Sequence, residues 1–139
     1  MKLYAILIMA ILISSCKNPP TSEVIPFIEG YWEIKSVEMG DGTLKEFKVN
    51  TSVDFIELNG DSGVRKKLMP RLDGTFREFP SNEKFKVLVQ NDSLLMQYQT
   101  PYATWTETVI RADDSLLVVR NHDNKEYVYR RYKKPEVIE

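Results

Sequence analysis

The sequence has few residues of the kinds that build catalytic centres. Its 139 residues include one cysteine, Cys16, and one histidine, His122. A single cysteine cannot close a disulfide within the chain. His122 stands among Asn and Asp residues typical of a turn, and neither a catalytic triad nor a pair of acid–base carboxylates can be assembled from the pattern. We therefore predict that the protein is not an enzyme, has no catalytic residues and uses no cofactor.

Metal and phosphate motifs are also missing. Asn59, Asp61 and Gly63 have the spacing of part of a calcium loop, but the twelfth position, which should be a bidentate Glu, is Pro70. We interpret this segment as a hairpin turn and predict no metal site. No Gly-rich loop precedes a predicted helix, so a phosphate-binding loop is excluded as well.

The chain has no excess of basic residues. Lys and Arg number 19 against 20 Asp and Glu, which gives a net charge of −1. A nucleic-acid-binding domain would carry a clear basic excess. We predict no nucleic-acid partner.

No apolar run is long enough to cross a membrane. The longest, residues 3–13, has 11 residues, whereas a spanning helix needs about 20. It follows Lys2 and fits the apolar part of a signal peptide. The next residues, Ile13-Ser14-Ser15-Cys16, resemble the lipobox of bacterial lipoproteins. The resemblance implies that residues 1–15 are removed and that Cys16 is acylated, which would anchor the protein to a membrane.

An ordinary secretory signal followed by a chance cysteine is the alternative interpretation. With the lipobox, we expect a lipid-anchored protein of the cell envelope, with the outer membrane favoured and its face left open. Residues 16–29 are predicted to be the lipidated cysteine and a flexible tether, because Pro19 and Pro20 favour extended backbone and no periodicity is present. Residues 30–134 form one predicted domain, and residues 135–139 form a C-terminal tail.

The domain has a β pattern throughout. Short runs rich in Val, Ile, Tyr, Phe and Thr are separated by Gly, Asn and Asp clusters that favour turns. The predicted strands are Tyr31–Glu38, Lys45–Val49, Ser52–Leu58, Val64–Met69, Thr75–Phe79, Lys84–Gln90, Leu94–Thr100, Thr104–Arg111, Leu116–Arg120 and Glu126–Lys133. Closing such strands on themselves removes exposed sheet edges. We predict an all-β fold, an antiparallel up-and-down β-barrel of eight to ten strands.

Alternation along the strands predicts which side chains point inward. The predicted inward sets are Phe85, Val87 and Val89; Leu94, Met96 and Tyr98; Leu116 and Val118; Val128 and Tyr132.

The first predicted strand begins with Gly30-Tyr31-Trp32, and the last one contains Arg130 and Arg131. This arrangement resembles the Gly-x-Trp signature of lipocalins and related calycin barrels, and the wider pattern is similar to lipocalin-like domains of lipoproteins from the Bacteroidota. The resemblance covers about Gly30 to Lys133. It implies a lipocalin-like barrel in which Trp32 closes one end and packs under Arg130 or Arg131.

Two clusters suggest binding. Tyr98, Tyr102 and Trp105 are candidates to line a cavity for a small apolar or amphipathic ligand, as the lipocalin resemblance implies; the alternative is that they are core residues. The basic segment Arg65-Lys66-Lys67, with Arg71, could contact anionic lipid headgroups or could be a solvated strand face.

Two turns also carry a candidate modification. Asp92-Ser93-Leu94 and Asp114-Ser115-Leu116 resemble the short O-glycosylation sequon of secreted Bacteroidota proteins, which implies Ser93 and Ser115 as acceptors. The alternative is ordinary turn chemistry, which is favoured because the triplet is so short.

Two functions are consistent with the sequence. The first is a membrane-anchored lipocalin-like lipoprotein that binds a small lipophilic ligand inside its barrel. The alternative is a protein-interaction or structural module of an envelope complex, with a filled barrel core and a protein partner that the sequence does not name. The volume inside the barrel distinguishes the two.

Overall fold

The computed structural model describes residues 18–134. The predicted signal peptide, Cys16 and the C-terminal tail lie outside the described residues. Within the described part of the chain, no helix is long and apolar enough to span a membrane.

Within residues 18–134, a short 3-10 helix, Ser22–Phe27, precedes nine strands. The strands are β1 (Gly30–Glu38), β2 (Leu44–Glu46), β3 (Val53–Asn59), β4 (Ser62–Pro70), β5 (Phe76–Gln90), β6 (Ser93–Gln99), β7 (Thr104–Ala112), β8 (Leu116–Arg120) and β9 (Glu126–Arg131).

The sheet closes into a barrel of eight antiparallel strands. From β3 to β9 each strand pairs with the next, and β1 pairs with β3 on one side and with β9 on the other. β2 pairs only with the second half of β1, Ser36–Glu38, and is not one of the eight. The predicted all-β up-and-down barrel is confirmed.

Turn chemistry explains the two-residue hairpin between β5 and β6. β5 and β6 are joined by Asn91 and Asp92, whose φ angles are 50° and 60°. Two successive residues with positive φ match the twist of an antiparallel hairpin, and Asn and Asp adopt this conformation more readily than other non-glycine residues.

β5 joins two segments that the sequence pattern predicted as separate strands. The gap between the two predicted strands, residues 80–83, begins with Pro80, which has no N–H to donate. In the structure, Lys66 pairs with Asn82 and Leu68 pairs with Glu78, so three residues of β5 lie opposite one residue of β4. Because a bulge leaves ladder positions unpaired, the strand continues through the proline.

The folded region begins at Ser22 rather than at Gly30, so residues 22–29 of the predicted tether are not a linker. Val24 and Ile25, on the 3-10 helix, pack against the core, and Ile28 is completely buried. These apolar side chains are spaced too irregularly to predict an element. Their burial under the barrel end orders the segment.

The inward-facing residues follow the prediction in β6 and, except at its end, in β5. Leu94, Met96 and Tyr98 are buried, as are Phe85 and Val87 in β5, but Val89 at the end of β5 is 47% exposed.

In the last strands the predicted faces are reversed. Leu117 and Val119 are buried instead of Leu116 and Val118, and Tyr129 is buried instead of Val128 and Tyr132. Four consecutive apolar residues in β8 carry no alternation, and a register shift between Val109 and Arg111 in β7 changes which residues of β8 face inward.

Candidate functional site

One end of the barrel is closed by a stack of Arg131 on Trp32. Trp32 is completely buried, and its indole N–H donates to the carbonyl oxygen of Ile28 at 2.8 Å. The guanidinium carbon of Arg131 lies 3.7 Å from the centroid of the Trp32 ring, which is close cation–π geometry.

Backbone carbonyls hold Arg131 in this position. Its guanidinium donates to the carbonyl oxygens of Phe27 and Glu29, each at 2.7 Å, and to that of Asp114 at 3.2 Å. Gly30 leaves space for this group, because a Cβ at Gly30 would lie 2.3 Å from Arg131 Nη1. Of the two candidate arginines, Arg131 therefore packs on Trp32, whereas Arg130 forms an ion pair with Glu33 at 2.7 Å.

A second arginine, Arg65, lies inside the barrel. Its Nη2 donates to Asp54 Oδ2 at 2.8 Å and to the Tyr129 hydroxyl at 2.7 Å, and its Nη1 lies 3.4 Å from the Tyr98 hydroxyl. Glu107 Oε2 lies 3.7 Å from the same Nη1. These five side chains, from β3, β4, β6, β7 and β9, are called the Arg65 cluster below.

The Arg65 cluster changes the acidity of its members. Burial lowers the pKa of Arg65, but Tyr129, Tyr98, Asp54 and Glu107 together raise it well above its usual value, so the guanidinium stays charged. Burial raises the pKa of Tyr129 to about 12 and raises that of Tyr98 as well.

Glu107 is the least satisfied member of the cluster. Its Oε2 atom is buried and has no hydrogen-bond partner among the described residues. Burial raises the pKa of Glu107, and the attraction of Arg65 only partly opposes this shift. Folding therefore favours the protonated form of this carboxyl.

The Arg65 cluster and the apolar residues around it fill the barrel. The gap between Trp32, Ile56, Met96, Leu117 and the Arg65 cluster is too small to admit a water molecule. Ligand pockets for small molecules usually have volumes of about 300–1,000 Å³. This part of the interior is thus a packed core.

The structure separates the three candidate ligand-binding residues. Tyr98 and Trp105 stack on each other, with ring centroids 4.9 Å apart, and Tyr98 is 2% exposed. Tyr102 lies between β6 and β7 and is 96% exposed. Tyr98 therefore belongs to the core, which was the alternative interpretation, and partly buried Trp105 packs against it, whereas Tyr102 does not join them.

A cavity of about 890 Å³ follows a row of residues that are neighbours across strands β3 to β7. Leu58, Gly63, Phe85, Tyr98 and Trp105 form the centre of this row, but Phe85 and Tyr98 are at most 3% exposed. The side chains of Phe85 and Tyr98 are too buried to line an open cavity. The cavity therefore lies on the outer wall of the barrel, toward which the residues before and after them in each strand point. We call it the outer-wall groove, and its outward residues are Glu57, Asn59, Ser62, Val64, Lys84, Lys86, Gln97, Gln99, Thr104 and Thr106.

The predicted basic cluster does not form a common surface. Arg65 points into the barrel, Lys66 pairs with Glu78 at 3.4 Å, and Lys67 lies 3.7 Å from Asp54. Strand alternation puts Arg65 and Lys66 on opposite faces, which explains the separation.

The two candidate glycosylation turns differ. Ser93 is the first residue of β6 and is half-buried, whereas Ser115 is exposed. Asp113 organises the second turn, since it accepts from the backbone N–H groups of Leu116 and Ser115, which lower its pKa. His122 is exposed, and residues 18–134 contain no group of three or more potential metal ligands.

Sequence reasoning missed most of the Arg65 cluster. Asp54 lies between Val53 and Phe55, and Glu107 lies in the predicted strand Thr104–Arg111. A charged residue at an inward position of a β pattern was the available signal.

An antiparallel eight-stranded barrel with a tryptophan of the first strand under an arginine of the last defines the class of lipocalin-like β-barrels. The chain belongs to the lipocalin-like domain family, whose model matches residues 28–119.

Several solved structures are similar to this chain at low sequence identity. A lipocalin-like protein from Bacteroides uniformis is 12% identical, covers 76% of this chain and 99% of its own, and has a TM-score of 0.48. An uncharacterized protein from Bacteroides eggerthii is 12% identical over 75% of this chain and 98% of its own, with a TM-score of 0.47. Lobster apocrustacyanin A1 is 11% identical over 84% of this chain and 67% of its own, also with a TM-score of 0.47. The family assignment rests on the family model alone. No curated protein matches the sequence.

Proposed function

We propose that this chain is a membrane-anchored, lipocalin-like binding module of the cell envelope that contacts its partner through the outer wall of a filled barrel. Lipocalin-like domains typically bind small hydrophobic ligands, so an interior ligand is the competing function. The observation that carries the proposal is the interior itself: the Arg65 cluster and its apolar neighbours leave no room for a water molecule.

The charge inside the barrel also disfavours an apolar ligand. A ligand that displaced the side chains around Arg65 would leave Asp54 or Glu107 buried without the hydrogen bonds and charge that they need. The outer-wall groove, by contrast, is open, and its outward side chains are polar except for Val64. These groups suit a polar partner surface better than a lipid tail.

The anchor is the second part of the proposal. Acylation of Cys16 would attach the domain to a membrane, and Ser22, where the folded region begins, is only six residues further along the chain. The intact mass of the mature protein should show loss of residues 1–15 and addition of acyl groups. A Cys16→Ser variant should lose the acyl mass and leave the membrane fraction.

Ser115 is the better candidate for a glycan, because it is exposed and Ser93 is half-buried in a strand. The same mass spectrum tests this modification. A mass fully explained by acyl groups excludes a glycan, and a Ser115→Ala variant should remove any additional mass.

Titration of the purified protein with a fluorescent fatty acid tests the interior. We expect no stoichiometric binding to the native protein. Met96, which is 1% exposed, provides the control: Met96→Ala should open a core cavity and admit a small apolar probe such as benzene. One-to-one binding of the fatty acid to the native protein would contradict a filled barrel.

Site-specific photo-crosslinking in cells tests the outer wall. A photoreactive residue at Gln97, in the outer-wall groove, should give a discrete larger product, and one at exposed Arg120 on β8 should not. Equal crosslinking at both positions would contradict a partner site in the groove.

A further inference from the structure

Four aromatic side chains form a continuous cluster on the outer wall. Tyr31 of β1 stacks on Phe55 of β3, with centroids 4.5 Å apart, and on Phe76 of β5, 5.3 Å apart. Phe76 also contacts Tyr132 edge to face at 5.9 Å. Tyr31 is 39% exposed although it adjoins the buried Trp32, which places the cluster on the outside of the barrel. We call these four residues the aromatic wall.

The β4–β5 hairpin brings Phe76 to this wall. Phe76 pairs with Pro70 at the end of the hairpin, yet its ring reaches β1, which is two strands away from β4 in the sheet. The hairpin must therefore bend back across β3. The bulge opposite Lys67 supplies that bend, because a bulge increases the local twist of the strand.

A fully exposed leucine lies on the same hairpin as Phe76 of the aromatic wall. Leu72 lies at the tip of the hairpin, in the turn closed by a hydrogen bond from the Arg71 N–H to the Thr75 carbonyl. Its side chain is 101% exposed, the highest fraction among the large apolar residues of the described chain. A leucine at such a tip buries nothing in the folded domain.

One cationic side chain contacts these apolar groups, and three more adjoin them in sequence. The Lys134 ammonium lies 5.4 Å from the Phe76 centroid. The sequence neighbours are Arg71, Arg77 and Lys133. Of the acids on the hairpin, Asp73 accepts from the Thr75 N–H and hydroxyl, and Glu78 pairs with Lys66. Exposed apolar groups and cationic side chains therefore occur together on and beside this hairpin.

The aromatic wall also lies beside the point at which the chain joins the barrel. Tyr31 directly follows Gly30, and the Tyr132 N–H donates to the Tyr31 carbonyl at 2.9 Å. Ser22 lies six residues after Cys16, a reach of at most about 20 Å. An acylated Cys16 would thus keep the closed end of the barrel, where Tyr31 lies, near the bilayer.

We propose that the aromatic wall, with Leu72, docks on the headgroup region of an anionic lipid bilayer. This inference rests on the lipid anchor of the proposed function. Tyrosine rings are stable at the boundary of water and hydrocarbon, and lysine and arginine side chains are attracted to an anionic lipid surface. Docking would fix the orientation of the barrel and set the direction in which the outer-wall groove faces.

An environment-sensitive fluorophore on an introduced cysteine tests the docking. In the acylated protein the Cys16 thiol is consumed, so Leu72→Cys provides a unique labelling site, and Tyr102→Cys is the matched exposed control. In vesicles that contain phosphatidylglycerol, we expect a blue shift and a several-fold gain in emission at position 72 and neither at position 102. Arg71→Glu with Arg77→Glu, or high salt, should reduce the shift at position 72.

The outcomes separate the docking from the anchor. Labelling of the native chain at Cys16 would contradict acylation, and with it both proposals. A native chain that resists labelling, with position 72 as solvent-exposed as position 102 on anionic vesicles, would contradict the docking alone.

A shift at position 72 without vesicles would also overturn the membrane assignment. If deletion of residues 135–139 abolished this emission shift, the C-terminal tail would be the occupant of the aromatic wall. If it grew with protein concentration, the occupant would be a second copy of the chain.

Discussion

The two arginines that face the barrel interior, Arg131 and Arg65, are satisfied in different ways. Arg131 at the closed end contacts an indole face and the carbonyl oxygens of Phe27 and Glu29. Arg65 in the middle contacts two carboxylates and two phenol groups. The first set of acceptors is backbone, which every sequence supplies. The second set consists of four side chains from four different strands.

Arg131 therefore stabilises the closed end of the barrel, whereas Arg65 fills its interior. Arg131 joins the segment before β1 to the end of β9, and it needs only Trp32 beneath it and a glycine beside it. Arg65 occupies the space where a ligand cavity would lie, at the cost of two desolvated carboxylates. Variants of both sites test whether they differ in this way.

Replacing Arg65 should have the largest effect. Arg65→Leu leaves Asp54 and Glu107 buried without a countercharge, which should lower the free energy of unfolding by about 3–5 kcal/mol. Urea denaturation measures this change. Lys66→Met on the opposite face, which loses only a partly exposed pair with Glu78, should cost less than about 1 kcal/mol.

A triple variant sharpens the same test. Arg65→Met with Asp54→Asn and Glu107→Gln removes all three charges and should recover much of the lost stability. A loss below about 1 kcal/mol in Arg65→Leu would show that the cluster is not desolvated as described.

Gly30→Ala should have the next largest effect. Its φ of +134° is unfavourable for alanine, and the new Cβ would lie 2.3 Å from Arg131 Nη1, so the guanidinium must move off Trp32. We expect a loss of about 3 kcal/mol from the backbone strain and the displaced stack. Gly60→Ala is the control, since its φ is +64° and nothing lies within 4 Å, and it should cost about 1 kcal/mol. Equal losses in the two variants would contradict a role for Gly30 in seating Arg131.

Arg131→Lys should have a smaller effect. Lysine keeps the charge but loses the planar fork that reaches two carbonyl groups, so we expect a loss of about 1–2 kcal/mol in thermal or urea unfolding. Arg130→Lys, which disturbs a partly exposed pair with Glu33, should cost under about 1 kcal/mol. The reverse order would assign the closing role to Arg130.

The architecture was predictable because its determinants are local. Turn residues such as Asn91 and Asp92 and the alternation in β6 give strands and hairpins, and Gly30 with Trp32 marks the closed end. The structure was harder to predict where the local sequence pattern is interrupted. The predicted gap at residues 80–83 is bridged in the structure by the bulge in β5. For the apolar run Leu116-Leu117-Val118-Val119 the prediction chose the wrong face, because the run does not alternate and its face depends on the register with β7.

The contents of the barrel were not predictable from the sequence for a different reason. Arg65 looked like part of a basic surface cluster, because its neighbours Lys66 and Lys67 are also basic. Its true partners, such as Tyr129, are up to 64 residues away and meet it only after the barrel closes. Pairing across strands, not composition, decides whether such an arginine is buried.

Glu107 should produce the smallest effect, visible as a dependence of stability on pH. Burial raises its pKa in the folded protein, so between its ordinary pKa and the raised value the folded chain holds a proton that the unfolded chain has released. The stability that protonated Glu107 contributes is fully present below the ordinary pKa and is lost as the pH rises through this window, with a slope of at most about 1.4 kcal/mol per pH unit for one proton. Urea unfolding of Glu107→Gln between pH 4 and 8 should lack this downward component relative to the native protein, and exposed Glu78→Gln should keep it. Arg131→Lys should also keep it, because the hydrogen-bond acceptors of Arg131 are backbone carbonyls that do not titrate. An identical pH profile for the native protein and Glu107→Gln would mean that Arg65 fully compensates the charge of the Glu107 carboxylate. The Arg65 cluster would then not differ from the closed end of the barrel in its response to pH.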